Sequence, residues 1–219
     1  MSVVVAIKEG NKIYMGCDSQ VTHGGTRVTL KNKNNYKIWN VLGVDHCLMG
    51  HVGRVREANV VRLIDDMVPE LAVIKNYVNY RFVVERVTPR IVEQLRRFGF
   101  CKDEQYFEQT ESGFLFAYKD KLYDISPDGC VIEVDDCVAI GSGEDQAIGS
   151  LVSTVGEHPV VRIIKAIKAS AASDIYVDYP IILTDTKSNE FTVITEKNEE
   201  SFLLKNKTDN QIRKGKNNE

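Results

Sequence analysis

The alternation of two apolar patterns along the chain is the feature that most constrains its fold. Short β-branched and apolar runs open the sequence, the first of them at residues 2–7, and helical spacing of apolar residues takes over from about Arg54. Strand patterns return at Gly113, helical spacing returns after Gly143, and strand patterns close the chain from Pro180. Amphipathic helices and partly apolar strands in this order suit two sheets packed face to face with helices outside. The pattern predicts an α+β fold in layers, and a four-layer αββα sandwich satisfies it.

Turn and capping signals predict several local features within this pattern. Residues 22–26 (THGGT) are expected to form a loop, because paired glycines punctuate regular structure. Apolar spacing predicts a helix over 54–68. Thr88 suits the N-cap of the next helix, with Pro89 in its first turn. The residues between these two helices, 71–87, are compatible with either helix or extended chain.

Length and composition place these elements in one domain and exclude several classes of protein. The 219 residues include 43% hydrophobic and 27% charged residues, as in globular domains that bury a substantial core. We assign residues 1–204 to this domain and residues 205–219, a strongly polar stretch, to a flexible tail. A net charge of −3 argues against a nucleic-acid binder. No run of about 18 apolar residues and no secretion signal is present, so neither a membrane partner nor export is expected.

The cysteines predict a reduced, cytoplasmic protein. Their number is odd, and no CxxC pair suggests a metal site. We therefore expect thiols that are mostly buried, with no disulfide framework, no metal and no cofactor. The five residues are Cys17, Cys47, Cys101, Cys130 and Cys137.

Ser2, directly after Met1, is the residue with the most informative chemistry. A methionine followed by a small residue is normally removed in cells, so the mature chain is expected to begin with this serine. Its free α-amino group, with a pKa of about 7.7–8.0, can accept a proton near neutral pH. A hydroxyl and an amine on one terminal residue form the self-activating nucleophile of N-terminal hydrolases. An ordinary Met-Ser start has the same sequence, so Ser2 by itself does not decide between the two interpretations.

Five motifs in order resemble those of β-type proteasome subunits, and most closely those of HslV-type peptidases. The motifs are SVVV (2–5), GCDSQVT (16–22), NNYKI (34–38), MGHVG (49–53) and IGSG (140–143). The resemblance extends over roughly residues 2–195. It implies the four-layer αββα sandwich of the N-terminal-nucleophile hydrolases.

The resemblance implies a catalytic role for Ser2, with an ion pair beneath it. Ser2 takes the place of the family's N-terminal threonine, but it lacks the γ-methyl group that helps to set the rotamer of a β-branched residue. Lys37 matches the lysine beside the nucleophile, where its charge would favour the alkoxide. Asp18 matches the carboxylate that pairs with this lysine. Lys31 and Lys33 lie close in sequence and remain alternatives to Lys37.

Further site residues follow from the same resemblance. The backbone N–H of Gly50 would stabilise the oxyanion, since a glycine at the end of a strand lets a substrate carbonyl approach closely. Ser142 would contact the terminal amino group and relay protons, supported by Asp174 or, alternatively, by Asp178. Four residues would line the substrate channel, namely Val21, Thr22, Leu48 and Val52. The three aliphatic members of this set are also compatible with an ordinary core.

Together these residues predict an endopeptidase subunit of a self-compartmentalising protease. The resemblance implies that copies of the chain stack in rings and that an ATP-dependent unfoldase delivers unfolded polypeptides to them. Two alternatives stay open: an inactive, ring-forming scaffold subunit, and an amide hydrolase of the same fold that acts on a small molecule.

Overall fold

The chain forms two antiparallel sheets between layers of helices, in a computed structural model that describes residues 2–100, 102–103 and 108–206. In chain order the strands are β1 (Val3–Glu9), β2 (Lys12–Cys17), β3 (Gln20–His23), β4 (Thr26–Thr29), β5 (Ile38–Asn40), β6 (Cys47–Val52), β7 (Lys102–Asp103), β8 (Glu108–Gln109), β9 (Gly113–Tyr118), β10 (Lys121–Ile125), β11 (Val131–Val134), β12 (Cys137–Gly141), β13 (Ile181–Asp185) and β14 (Ser188–Ile194). The α-helices are α1 (Val55–Val61), α2 (Glu70–Ile74), α3 (Tyr80–Phe82), α4 (Thr88–Arg97), α5 (Glu144–Ser153) and α6 (Pro159–Ala171).

Ten of these strands make the two large sheets. The first sheet has the order β12-β1-β2-β13-β14 and the second has the order β11-β10-β9-β6-β5. Neighbouring strands in both sheets are antiparallel. Residues 3–7 of β1 are fully buried, because alternate side chains face the second sheet and the covering helices. The cluster between the sheets includes Val4, Met15, Ile38, Leu48 and Leu115.

Helices cover the outer face of each sheet and complete four layers. On the first sheet, Leu151 of α5 and Ile163 of α6 join the outward side chains of β1 in one apolar cluster. On the second sheet, Leu95 of α4 packs in a cluster with Phe116 of β9. The predicted α+β fold, a four-layer αββα sandwich, is therefore confirmed.

Two local predictions in the first half of the chain were wrong. Residues 22–26 are part of a hairpin, in which β3 pairs with β4 and the turn is made by Gly24 and Gly25 at φ values of +54° and +82°. The helix expected over 54–68 is shorter, because α1 ends at Val61. Some apolar residues beyond Val61 are still buried, although the segment that carries them is irregular and not helical.

A continuous helical stretch over 80–97 replaces the predicted helix start at Thr88. Asn79 caps this stretch, since its side chain accepts a hydrogen bond of 3.0 Å from the backbone N of Phe82. The turn Val83–Val87, directly before Thr88 and Pro89, is π-helical. Proline has no N–H to donate and its ring crowds the preceding turn, so a wider turn accommodates it inside the helix.

A helical segment at 199–206 crosses the predicted domain boundary at residue 204. Lys168 of α6 forms an ion pair of 2.7 Å with Glu199, and Phe202 packs against the cluster beneath α6. Residues 205 and 206 thus continue a helix that begins inside the folded domain, and the rest of the expected tail lies outside the described residues. No helix within the described ranges is long and apolar enough to cross a membrane.

Candidate active site

Ser2 directly precedes the first residue of β1, next to the turn that follows β12. The pairing of Val3 with Gly141 brings the start of the chain beside residues 141–143. The backbone N of Ser2 donates a hydrogen bond of 3.1 Å to Oγ of Ser142. Ser2 is 5% exposed, so this contact is sheltered from solvent at the edge of a pocket.

Ser142 connects the nitrogen of Ser2 to a carboxylate. The Ser142 hydroxyl donates to Oδ2 of Asp174 at 2.5 Å, while Oδ1 of Asp174 accepts a bond of 2.9 Å from the backbone N of Tyr176. Asp178 instead forms an ion pair of 2.6 Å with Arg27. The structure therefore brings Asp174, and not Asp178, to the serine that contacts Ser2.

Gly141 allows the close approach of the two chain segments. Its φ is +107°, and a Cβ at this position would lie 2.2 Å from the carbonyl oxygen of Ser2. Gly143 N donates to the same carbonyl at 3.4 Å, and Gly143 O accepts a bond of 2.6 Å from Ser170 Oγ. The glycines of this turn thus hold the backbone of Ser2 in place from one side.

Asp18 and Lys37 form a buried ion pair next to Val3, the residue that follows Ser2. Lys37 Nζ donates to Asp18 Oδ1 at 2.7 Å, to Asp18 Oδ2 at 2.8 Å and to the carbonyl oxygen of Gln20 at 2.6 Å. The Asp18 carboxylate also accepts backbone N–H bonds from Val3 at 3.0 Å and from Gln20 at 2.9 Å. Because Val3 follows Ser2 in the chain, this network fixes the backbone of Ser2 from the second side.

The two partners come from opposing sheets. Asp18 directly follows β2 of the first sheet, and Lys37 directly precedes β5 of the second. Two opposing sheets, and not two neighbouring strands of one sheet, therefore bring the pair together. Lys31 and Lys33, the alternatives to Lys37, are exposed to solvent.

Burial keeps two neighbouring ionisable groups neutral. It raises the pKa of the Cys17 thiol to about 12, with the nearby Asp18 charge acting in the same direction. Burial also lowers the pKa of His51 to about 3, helped by the positive charge of Lys37, while its Nε2 lies 2.9 Å from Ser112 Oγ. A thiol and an imidazole held in this way add no charge beside the Asp18–Lys37 pair.

Gly50 lies inside β6, and not at its end as expected. It pairs with Ile38 on one side and with Leu115 on the other, and β6 continues to Val52. A Cβ at Gly50 would lie 2.8 Å from Val4 Cγ1, so the glycine lets the two sheets approach each other beneath the site. The expected approach of a substrate to this amide stays a prediction.

The predicted substrate-binding residues divide between a pocket and the core. Val21 and Thr22 line a cavity of about 690 Å³ that also includes Ser2. Leu48 is 1% exposed and belongs to the cluster between the sheets, so its assignment to the channel was wrong. Val52 lines a neighbouring cavity of about 670 Å³ and packs against the turn at Gly141.

Several pocket residues were missed by the sequence analysis. Five of them lie in α1 or just before it, one lies in the β3–β4 hairpin and one lies two residues after Asp174. No pattern in the sequence marks these positions as a site. Two arginines shortly after Gly53, at positions 54 and 56, were an available signal. The missed residues are His23, Gly53, Arg54, Val55, Arg56, Asn59 and Tyr176. In the described part of the chain, no three His, Cys, Asp or Glu side chains converge as metal ligands, and chemistry without metal or cofactor stays a prediction.

Comparisons of the sequence with known proteins identify one family and a related protease subunit. The sequence profile of the family described as proteasome subunit matches residues 2–175. The ATP-dependent protease subunit HslV of Caldicellulosiruptor saccharolyticus is 25% identical over 189 residues, which cover 84% of this chain and 97% of that protein.

Solved structures share the fold at lower identity. Anbu (ancestral beta-subunit) from Yersinia bercovieri has a TM-score of 0.67 at 14% identity, covering 94% of this chain and 92% of its own. Thiobacillus denitrificans BPH in complex with Epoxomicin has a TM-score of 0.61 at 16% identity, covering 88% and 99%. HslV from Trypanosoma brucei has a TM-score of 0.60 at 16% identity, covering 84% and 98%.

Proposed function

Because the chain belongs to the proteasome subunit family, we propose that it is an N-terminal-nucleophile endopeptidase that uses Ser2 and works inside a ring of its own copies. One observation carries this proposal: the backbone N of Ser2 is bonded to Ser142, which is bonded in turn to Asp174. Any buried backbone N–H needs an acceptor, but here the acceptor is a hydroxyl backed by a carboxylate, a pair that can also exchange protons with a terminal amine.

The first half of the reaction forms an ester and releases an amine. Once Met1 is removed, the Ser2 hydroxyl attacks a peptide carbonyl and its proton passes, through a water molecule, to the Ser2 amino group. The C–N bond breaks as that proton is delivered to the leaving nitrogen. Water then attacks the Ser2 ester, and the amino group again accepts and returns a proton, which frees the acid product and the enzyme.

Ser142 and Asp174 act on the base in this scheme. The Ser142 hydroxyl donates to Asp174, which leaves its oxygen lone pairs directed at the nitrogen of Ser2. This arrangement positions the nitrogen and passes protons to and from it. Asp174 is a positioning residue, since it acts through Ser142.

The charge of Lys37 lowers the energy of the developing alkoxide. A cation in a water-poor site interacts strongly with negative charge that forms nearby, and the pairing with Asp18 keeps this cation in place. The backbone N–H of Gly50, in β6, is the group proposed to stabilise the oxyanion of the tetrahedral intermediate.

Self-assembly and delivery of unfolded chains complete the proposal. Apolar side chains on the outer face of α5 are exposed in the single chain, as expected for a surface covered by another subunit: Val152 is 68% exposed and Val155, just beyond the helix, is 72% exposed. We propose stacked rings, an ATP-dependent unfoldase as partner and a cytoplasmic location. Native mass spectrometry tests the rings, co-purification with an ATPase tests the partner, and cell fractionation tests the location.

A covalent probe tests the chemistry. Incubation with a peptide epoxyketone should add one probe mass per chain, mapped to Ser2 by peptide mass spectrometry. Ser2→Ala should abolish the adduct, while Ser2→Thr should retain it because it keeps a hydroxyl on the terminal residue. The same spectra report whether Met1 is removed.

Three outcomes contradict the proposal. A chain that keeps Met1 or carries a blocked terminus in active rings refutes the use of the Ser2 amine. A correctly trimmed chain that forms rings but takes no probe supports the inactive scaffold subunit. A trimmed chain that stays monomeric and hydrolyses a small amide supports the small-molecule hydrolase.

A further inference from the structure

The pocket beside Ser2 has a marked charge character. Its volume of about 690 Å³ is enough for a large side chain. Arg54, Arg56 and His23 contribute basic groups to its lining, and no carboxylate is among the described lining residues. A substrate side chain that enters this pocket therefore meets cationic hydrogen-bond donors.

The two arginines differ in how far their charge is already compensated. Arg54 forms an ion pair with Glu111, whose side chain lines the neighbouring cavity and not this one. Arg56 is exposed and stacks over the ring of Phe100, 4.6 Å from its centroid. Among the described residues no carboxylate pairs with Arg56, so its guanidinium remains available to a ligand.

The acid nearest to these arginines in sequence does not compensate them. Glu57 is fully buried and does not line the pocket. Burial raises the pKa of its carboxyl, which favours the neutral form. A carboxyl that favours its neutral form adds little counter-charge to the pocket, although the charge of Arg54 acts against this tendency.

We propose that this pocket selects substrates with an acidic side chain, glutamate above all, at the residue whose carbonyl is attacked by Ser2, with Arg56 as the specificity-determining residue. A guanidinium binds a carboxylate with two parallel charge-assisted hydrogen bonds, which an amide side chain of the same shape cannot match. The inference rests on the proposed function, because it concerns the substrate of the same nucleophile.

Two matched probes test this inference. We would compare peptide epoxyketones that differ only in the residue next to the warhead, glutamate or glutamine, and measure the rate of Ser2 labelling by intact mass. In the full chain the glutamate probe should react about 10-fold faster or more, the factor that about 1.4 kcal/mol supplies. Arg56→Gln should remove this preference, and Arg56→Lys should keep part of it.

Arg81→Gln is the control, since Arg81 is an exposed arginine of α3 that pairs with Glu85 and lines a different cavity. This substitution should leave the preference unchanged. Equal rates for the two probes in the unaltered chain would overturn the inference while leaving the proposed function intact. A preference that persists in Arg56→Gln would overturn the role of Arg56. Failure of both probes, and of one with leucine at that position, would overturn the proposed function and this inference with it.

Discussion

Substitution of Gly141 by alanine gives the sharpest test of how the backbone of Ser2 is held. The new Cβ would lie 2.2 Å from the Ser2 carbonyl oxygen and 3.0 Å from Val52 Cγ1. Contacts below 3.0 Å are essentially never observed for a Cβ, so the Ser2 backbone must move. The backbone φ of +107° adds strain of its own, because side chains with a Cβ rarely adopt it.

The magnitude follows from these two contributions. A left-handed backbone costs about 1–2 kcal/mol for a residue with a Cβ, and overpacking of a rigid environment costs about 1–3 kcal/mol. We therefore expect Gly141→Ala to lower the free energy of unfolding by about 2–5 kcal/mol. A displacement of the nucleophile by about 1 Å would also slow the labelling of Ser2 by about 100-fold.

Gly156 supplies the matched control. Its φ is +89°, and nothing lies within 4 Å of a Cβ placed there. Gly156→Ala should thus show only the backbone contribution, about 1–2 kcal/mol, and a normal labelling rate. Urea denaturation at one protomer concentration measures the first quantity, and intact-mass kinetics with an epoxyketone measure the second. Equal stability and equal labelling in the two variants would refute the position of the Ser2 carbonyl described above.

Three further predictions concern the network around Ser2. Lys37→Met should lower the free energy of unfolding by about 3–5 kcal/mol, because it leaves the buried carboxylate of Asp18 without its partner. A double variant that also carries Asp18→Asn should lose less stability than the two single variants combined. Additive losses in urea denaturation would disprove the coupling. Asp174→Asn should slow Ser2 labelling by about 10- to 100-fold while Asp178→Asn leaves it unchanged, and the reverse ranking would reassign the support of Ser142. Burial lowers the pKa of His51 to about 3 in the folded chain, whereas its ordinary value is about 6.5. Between these two pH values the unfolded chain binds more protons than the folded one. The free energy of unfolding therefore falls as the pH drops, by up to about 1.4 kcal/mol per pH unit. His51→Gln should lose that part of the slope in pH-dependent denaturation, and an unchanged slope would contradict the buried neutral imidazole.

Local patterns predicted most of the fold correctly. The strand that starts at Gly113 and the helix that starts after Gly143 follow from residue spacing and turn chemistry, which depend on near neighbours in sequence. The errors occurred where a distant contact outweighs the local signal. Thr88 and Pro89 have the features of a helix start, yet the packed helix continues through them by widening into a π turn.

In the candidate site, too, the sequence predicted some residues correctly and misassigned another. Residue types and motif order singled out Ser2, Asp18, Lys37 and Ser142, because nucleophiles, buried ions and tight turns restrict which residues are tolerated. Leu48 was misassigned since an aliphatic residue suits a pocket and a core equally well, and only the position of the second sheet decides between them.

The sequence by itself determined the layered fold and the chemical groups available at the start of the chain. The tertiary structure decided which groups meet: Asp18 and Lys37 approach from opposing sheets, and Ser142 joins Ser2 to Asp174 across segments far apart in the chain. Such contacts depend on the packing of whole layers, whose geometry is a property of many residues at once and leaves no mark in any short stretch of sequence.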